Sequence, residues 1–317
     1  MKRLSLALLC LIPFSAPAEE GGSGHYQPGS MSSFADSVPP AETFVARFNF
    51  LQYQGDISRG QPLPIAGLQA LGLEAESVAA GLTLLWRPPV CLWDEDWSYA
   101  MSATIPYVWT DVTADAVLGI PGGPPALSRN GSLDGLGDIV LMPLMLNRRV
   151  NPDFNVNFRV GAYAPTGRYE AGRLANTGKN FWTIEPTLGL MYFGQKNGIE
   201  ASLFLGADYN WENPDTDYQS GTQFHIDGTL AQHFPLWGGL GGVGVNGFWY
   251  EQVTADSGSG ASFGDFEART AGLGPVISYA TKIADNDVIA ELKWLHEMET
   301  RKRLQGDYLW FKLLVKF

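Results

Sequence analysis

His225, Asp227 and His233 are separated by even numbers of residues. On an extended strand they share one face, and neighbours two apart lie about 7 Å from each other. An imidazole beside a carboxylate is the base-and-orienter half of a hydrolase triad, which also requires a serine nucleophile. Ser257 is the serine weighed for that role, and a hydrolase acting on membrane lipid is a minor reading. No Cys-x-x-Cys or His-Glu-x-x-His pattern occurs, so the familiar redox and zinc signatures are missing. Asp215 and Asp217 lack the spacing of a twelve-residue calcium loop and read as solvated loop charge. The sequence therefore predicts no catalytic residue, no metal site and no cofactor.

The elements carrying these residues are strands. From Trp97 to Trp109 every second residue is apolar, and the intervening positions are mostly small or polar. The same alternation runs through 154–165, 181–193 and 198–210. Runs of 10 to 14 residues exceed the usual strand of a soluble sandwich and match a tilted bilayer crossing. Twelve strands are predicted, at 43–54, 77–87, 97–110, 134–147, 154–165, 181–193, 198–210, 223–234, 240–253, 266–280, 287–299 and 307–317. The fourth and tenth alternate poorly. Long connections follow odd strands and short ones follow even strands, as in an up-and-down transmembrane barrel with both termini on the short-turn side. A sheet in lipid must close, because open edges find no water there.

The composition agrees. Only 17% of the residues are charged, 12% are aromatic, and there are 37 glycines. The 33 acidic residues outnumber the 21 basic ones, which argues against a nucleic-acid partner. Lys2 and Arg3, the apolar stretch Leu4–Phe14 and the small residues Ala16-Pro17-Ala18 predict a signal peptide over 1–18, cleaved after Ala18. Cys10 leaves with it, and Cys91, then alone, forms no internal disulfide. Residues 19–42 form a Gly/Ser/Pro-rich segment. They are read either as a loose leader or as a plug entering the lumen, with His25 and Tyr26 as its contacts. The barrel itself is assigned to 43–317. Gly122-Gly123-Pro124-Pro125 and the glycine-serine stretch 256–264 read as surface loops.

If the apolar parity faces lipid, the other parity faces the lumen. Its candidate lining residues are Arg47, Asn49, Arg159, Tyr163, Glu185, Glu200, Asp208, His225, Asp227, His233 and Lys312. They read equally as groups that orient a solute and as structural ion pairs across a narrow barrel. Leu309, Phe311, Leu313, Val315 and Phe317 alternate to the last residue. That ending resembles the signal read by the outer-membrane barrel assembly machinery.

Five short segments, taken in order, carry a family resemblance: Gly24–Gly29, Gly137–Pro143, Ala164–Tyr169, Asn176–Thr183 and Asp256–Ala261. On these the chain resembles the outer-membrane proteins grouped as meta-pathway phenol-degradation proteins, near the sphingosine-induced outer-membrane branch. The resemblance implies an outer-membrane barrel of a Gram-negative bacterium that passes small hydrophobic or aromatic compounds, in contact with lipid and lipopolysaccharide. It carries over no individual functional residue. A general diffusion porin with mild cation preference is the alternative.

Overall fold

A computed structural model describes residues 23–57, 63–65, 68–90, 92–118, 128–261 and 267–317. The predicted signal peptide, Cys91 and the predicted loop at Gly122–Pro125 lie outside the described residues, as does the end of the glycine-serine stretch. Fourteen strands are formed among those described. They are β1 (Thr43–Ile57), β2 (Leu63–Ile65), β3 (Leu68–Arg87), β4 (Trp97–Leu118), β5 (Arg129–Leu136), β6 (Ile139–Asn151) and β7 (Phe154–Ala164). The series continues with β8 (Thr183–Phe193), β9 (Ile199–Asn210), β10 (Gln223–Leu236), β11 (Gly239–Gln252), β12 (Arg269–Ile283), β13 (Asn286–Arg301) and β14 (Gln305–Lys316).

All pairings are antiparallel, and β1 bonds to both β14 and β3, so the sheet closes on itself. The three-residue β2 only extends the hairpin into β3. β5 and β6 share one long partner: β4 pairs with β6 through its first half and with β5 through its second. Together β5 and β6 form one interrupted stave, so the closed barrel has twelve. Closure satisfies the edges that a bilayer would leave dry, apart from β5, which among the described residues pairs only with β4.

The alternation predicted from sequence sorts the two faces. On β9, Glu200, Ser202, Phe204, Asp208 and Asn210 are buried inside, while Ile199, Leu203 and Tyr209 are exposed outside. Leu82, Ile105, Leu230, Val245, Ile277 and Leu292 continue the exposed apolar belt around other strands. Leu230 remains 65% exposed, and such an apolar surface repeated around a closed sheet is a lipid-facing one. Exposed aromatics rim the belt: Trp86, Trp93 and Trp237 at the short-turn end, Trp109, Tyr209 and Trp211 at the long-loop end.

Turn chemistry explains the short connections. Leu236 pairs with Gly239 across only Trp237 and Gly238, whose φ angles of 46° and 79° are those of a type I′ turn. On β6 the register shifts between Leu141 and Leu144, and a bulge there reverses which parity faces inward, so the period of two is broken in the sequence as well. On β12 burial alternates without a break through Val276, and the residue left over opposite Ala271 and Gly272 is Met298 on β13.

Candidate functional site

Residues 23–38 run inside the barrel, and the buried inner-face charges converge on them. At the lowest level a short 3-10 helix, Phe34–Asp36, presents Asp36. Its carboxylate accepts from Lys312 Nζ at 2.8 and 2.9 Å and from Arg47 Nη1 at 2.9 Å. The backbone N–H groups of Ser32 and Ser33 also donate to it. Burial by itself would raise the Asp36 pKa. Lys312, then Arg47 and Lys293, outweigh burial and hold the carboxyl well below the usual carboxylate range. Around this centre Lys312 also donates to Ser30 O, and Arg159 to Asp36 O. Lys293 donates to Ser32 Oγ, and Ser33 Oγ to Glu291. Glu200 accepts from Phe34 N at 2.7 Å and pairs with His233 at 2.8 Å.

At the middle level Asp227 accepts both Tyr26 Oη at 2.8 Å and Gly29 N at 2.7 Å. Gly29 has φ 80°, and a Cβ there would lie 2.7 Å from Leu295 Cδ1, so this turn of the segment requires glycine. Trp310 Nε1 donates to Pro28 O. The Tyr26 ring stacks on His225 at 3.9 Å. At the upper level His25 pairs with Asp138 at 3.0 Å and with Thr183 Oγ1 at 2.7 Å. The other bonds to Asp138 come from the backbone N–H groups of Gly167 and Lys179. Segments far apart in the chain, around 25, 138, 167 and 179, therefore meet at one carboxylate.

Beside the segment lies a cavity of about 870 Å³. Its wall is mainly the inner faces of β1, β3 and β4, with Leu51, Leu73, Val108 and Val112, closed by Leu174, Leu304 and Trp310. A second cavity of about 30 Å³ sits nearer the short-turn end. Met31, Arg47 and Met142 border both, and so form the constriction between them.

The structure divides the predicted lining residues into two groups. Arg47, Asn49 and Tyr163 line the large cavity, as does His25. Arg159, Glu185, Glu200, Asp208, His225, Asp227, His233 and Lys312 are buried on the inner face. Several of them bond the N-terminal segment directly rather than facing a wet lumen. Phe204, Phe248 and Tyr250 are also buried on the inner face, and the apolar wall of the cavity combines aliphatic residues of other strands with Tyr53, Tyr308 and Trp310. Sequence reasoning missed Asp36, Asp138, Glu291 and Lys293. The last two keep the inner parity of β13 and were accessible to the same argument; the first two lie in irregular segments with no period to read.

His225 is surrounded by carboxylates: Glu185 and Asp227 each at 3.4 Å and Asp208 at 4.0 Å. No hydroxyl hydrogen-bonds it among the described residues, and Ser257 Oγ instead donates to Gln219. Gly260-Ala261-Ser262-Phe263-Gly264 does have Gly-x-Ser-x-Gly spacing. Its serine, Ser262, lies outside the described residues.

The crystal structure of an outer membrane channel from Pseudomonas putida F1 superposes with a TM-score of 0.64 at 14% identity, covering 92% of this chain and all of that one. That likeness establishes the fold. A Pseudomonas aeruginosa FadL homologue aligns with a TM-score of 0.38 at 10% identity, over 96% of this chain and 98% of that one. No curated protein matches the chain. Residues 60–313 match the model of the family described as "Putative MetA-pathway of phenol degradation", and on that match the chain belongs to this family.

Proposed function

We propose that the protein is an outer-membrane channel that transfers small hydrophobic or aromatic compounds through its lumen, without catalysis. The observation that carries this reading is the large cavity. It is big enough for a small organic molecule, and more of its exposed wall is apolar than polar, although Arg47, Asp138, Arg173, Lys179 and Arg303 also line it. The family's description, a pathway of phenol degradation, and the likeness to the Pseudomonas putida outer membrane channel point the same way. A water-filled porin fits less well, because Met31, Arg47 and Met142 constrict the path below the cavity.

In this reading residues 19–42 act as a plug. His25 and Tyr26 hold its upper part, and Asp36 holds its base. A solute entering from the long-loop end rests in the cavity and passes to the periplasm when the constriction widens. The alternating C-terminal strand ending in Phe317 serves as the assembly signal, and the aromatic rims contact lipid and lipopolysaccharide.

The test is conductance of the refolded protein in planar bilayers, with and without residues 19–40, alongside uptake of an aromatic compound by a deletion strain. The intact protein is expected to be silent or nearly so, and the truncated one to conduct. The deletion strain is expected to take up the compound more slowly. Steady open steps from the intact protein together with normal uptake by the deletion strain would refute both the plug and the solute class.

A further inference from the structure

Glu185 on β8, Asp208 on β9 and His225 on β10 stand on three adjacent strands and point to one spot inside the barrel. One ligand atom from each lies within 4.8 Å of the others, and all three residues are buried. His225 Nε2 faces Glu185 Oε1 at 3.4 Å and Asp208 Oδ1 at 4.0 Å. Both are ion-pair distances, and neither contact meets hydrogen-bond geometry, so a buried ring nitrogen is aimed between two carboxylates. Room for the ring is built in. Register places Gly206 opposite His225, and a Cβ on Gly206 would lie 2.3 Å from Nε2.

The other ring nitrogen, Nδ1, faces Asp227 at 3.4 Å. A carboxylate behind one imidazole nitrogen, with the other nitrogen aimed at further carboxylates, is the arrangement that orients histidine toward a metal. Glu185 is itself positioned by Tyr163 Oη at 2.6 Å and Thr187 Oγ1 at 3.0 Å. Gln223, register partner of Asp208, is fully buried, and neither of its amide atoms has a hydrogen-bond partner. It supplies a further neutral oxygen beside the site.

Charge argues for a cation. Three buried carboxylates, Glu185, Asp208 and Asp227, surround one imidazole. Protonating that imidazole supplies one positive charge; a divalent ion supplies two and uses the lone pair on Nε2 as well. One nitrogen and two carboxylate oxygens suit zinc and its first-row neighbours better than magnesium or calcium, which prefer oxygen alone. Bonds of about 2.0–2.2 Å require the ligand atoms to close in by about 1 Å. Tyr163 lines the large cavity, so a single ring separates the site from it.

We propose that Glu185, Asp208 and His225 bind one divalent metal ion of the zinc class. This departs from the metal-free reading of the sequence, where the three residues lie too far apart to form a motif. The ion would fix the His225 ring against which Tyr26 stacks, and so stiffen the seat of the N-terminal segment.

The test uses the full-length mature barrel, refolded in detergent and stripped with chelator. Zinc is added in a calorimeter, and cobalt in a spectrophotometer. One zinc equivalent per chain is expected, along with visible cobalt bands from an ordered, low-coordination site. The isosteric variants Asp208→Asn and Glu185→Gln should each weaken zinc binding at least about tenfold. His296→Ala, in the exposed pair with Asp307, should leave it unchanged. Absence of stoichiometric binding in the wild type would overturn the site, as would wild-type affinity in both isosteric variants. Heat-modifiability on gels confirms that each variant is a closed barrel. If one variant fails to close, the other and the wild-type cobalt spectrum decide. The result is independent of whether any solute is transported.

Discussion

Asp36 is the residue on which the interior depends most. It lies in an irregular segment, yet its carboxylate meets cations from the first and last strands, Arg47 and Lys312, and two N–H groups of its own turn. Asp36→Asn keeps the shape and removes the charge, leaving Lys312 and Arg47 buried with reduced compensation. Breaking a buried pair in this way costs about 3–5 kcal/mol. The expected outcome is a folded barrel whose residues 23–38 exchange amide hydrogens much faster, measured by mass spectrometry. Unchanged protection there would show that Asp36 does not hold the segment. The same residue sets a pH dependence. Its pKa is lower with the segment docked than free, so its contribution is complete above the ordinary aspartate value of about 3.9. The contribution is lost as pH falls from there through the lower docked value. Bilayer current through the intact protein should therefore appear in acid and vanish on return to neutral pH. At this scale the sequence revealed which strand residues point inward, because parity alone decides it. It could not reveal what they meet, since their partners lie in a segment without period.

The strands were the most legible level. Twelve runs of alternating residues correspond to the twelve staves of the barrel, with most ends shifted by a few residues, while β3 starts at Leu68 rather than 77 and β4 ends at Leu118 rather than 110. What escaped the period is the interrupted stave. Between β5 and β6 the chain turns at Gly137 and Asp138, Gly135 has φ 157°, and β5 pairs on one side only, with β4. The connection after β7 folds back against this break. Thr166 Oγ1 accepts from Ile139 N, Thr177 Oγ1 donates to Leu136 O, and Gly167 packs directly on Gly178. The Pro-Thr-Gly and Thr-Gly segments noted in the sequence are thus one structural unit, assembled by contacts that no local pattern encodes. A Cβ on Gly167 would lie 2.6 Å from Gly178 Cα, backbone against backbone. Gly167→Ala should therefore push the two halves of this connection apart, at a cost of about 1–3 kcal/mol. Trypsin would then cut faster at the exposed Arg168 while the barrel stays heat-modifiable. An unchanged cleavage rate would mean that the connection tolerates the methyl group and that the close approach has no structural role.

Across the whole molecule the interior is divided lengthwise. Charged inner residues of β7–β10, β13 and β14 bind the N-terminal segment on one side, and small and aliphatic residues of β1, β3 and β4 leave the cavity open on the other. The division follows from composition: β3 offers Ala75, Ser77, Ala79 and Gly81 to the lumen, side chains too short to reach across a twelve-stranded barrel. The volume they leave is what the proposed solute occupies, and it can be filled without disturbing the wall. Ala79→Phe projects a ring into the cavity beside the Leu51, Tyr308 and Trp310 cluster it packs against, from a strand paired on both sides, so no backbone bond is strained and the outer face is untouched. The barrel should fold as before, judged by heat-modifiability. Uptake of aromatic compounds should fall, and more steeply for a two-ring compound than for a one-ring one, because the larger solute needs the volume that the new side chain takes. Deleting residues 19–40 in the same variant should still give bilayer conductance, since that deletion opens the opposite side of the lumen. Equal uptake of both compounds by Ala79→Phe and wild type would place the transport path elsewhere and remove the cavity from the mechanism.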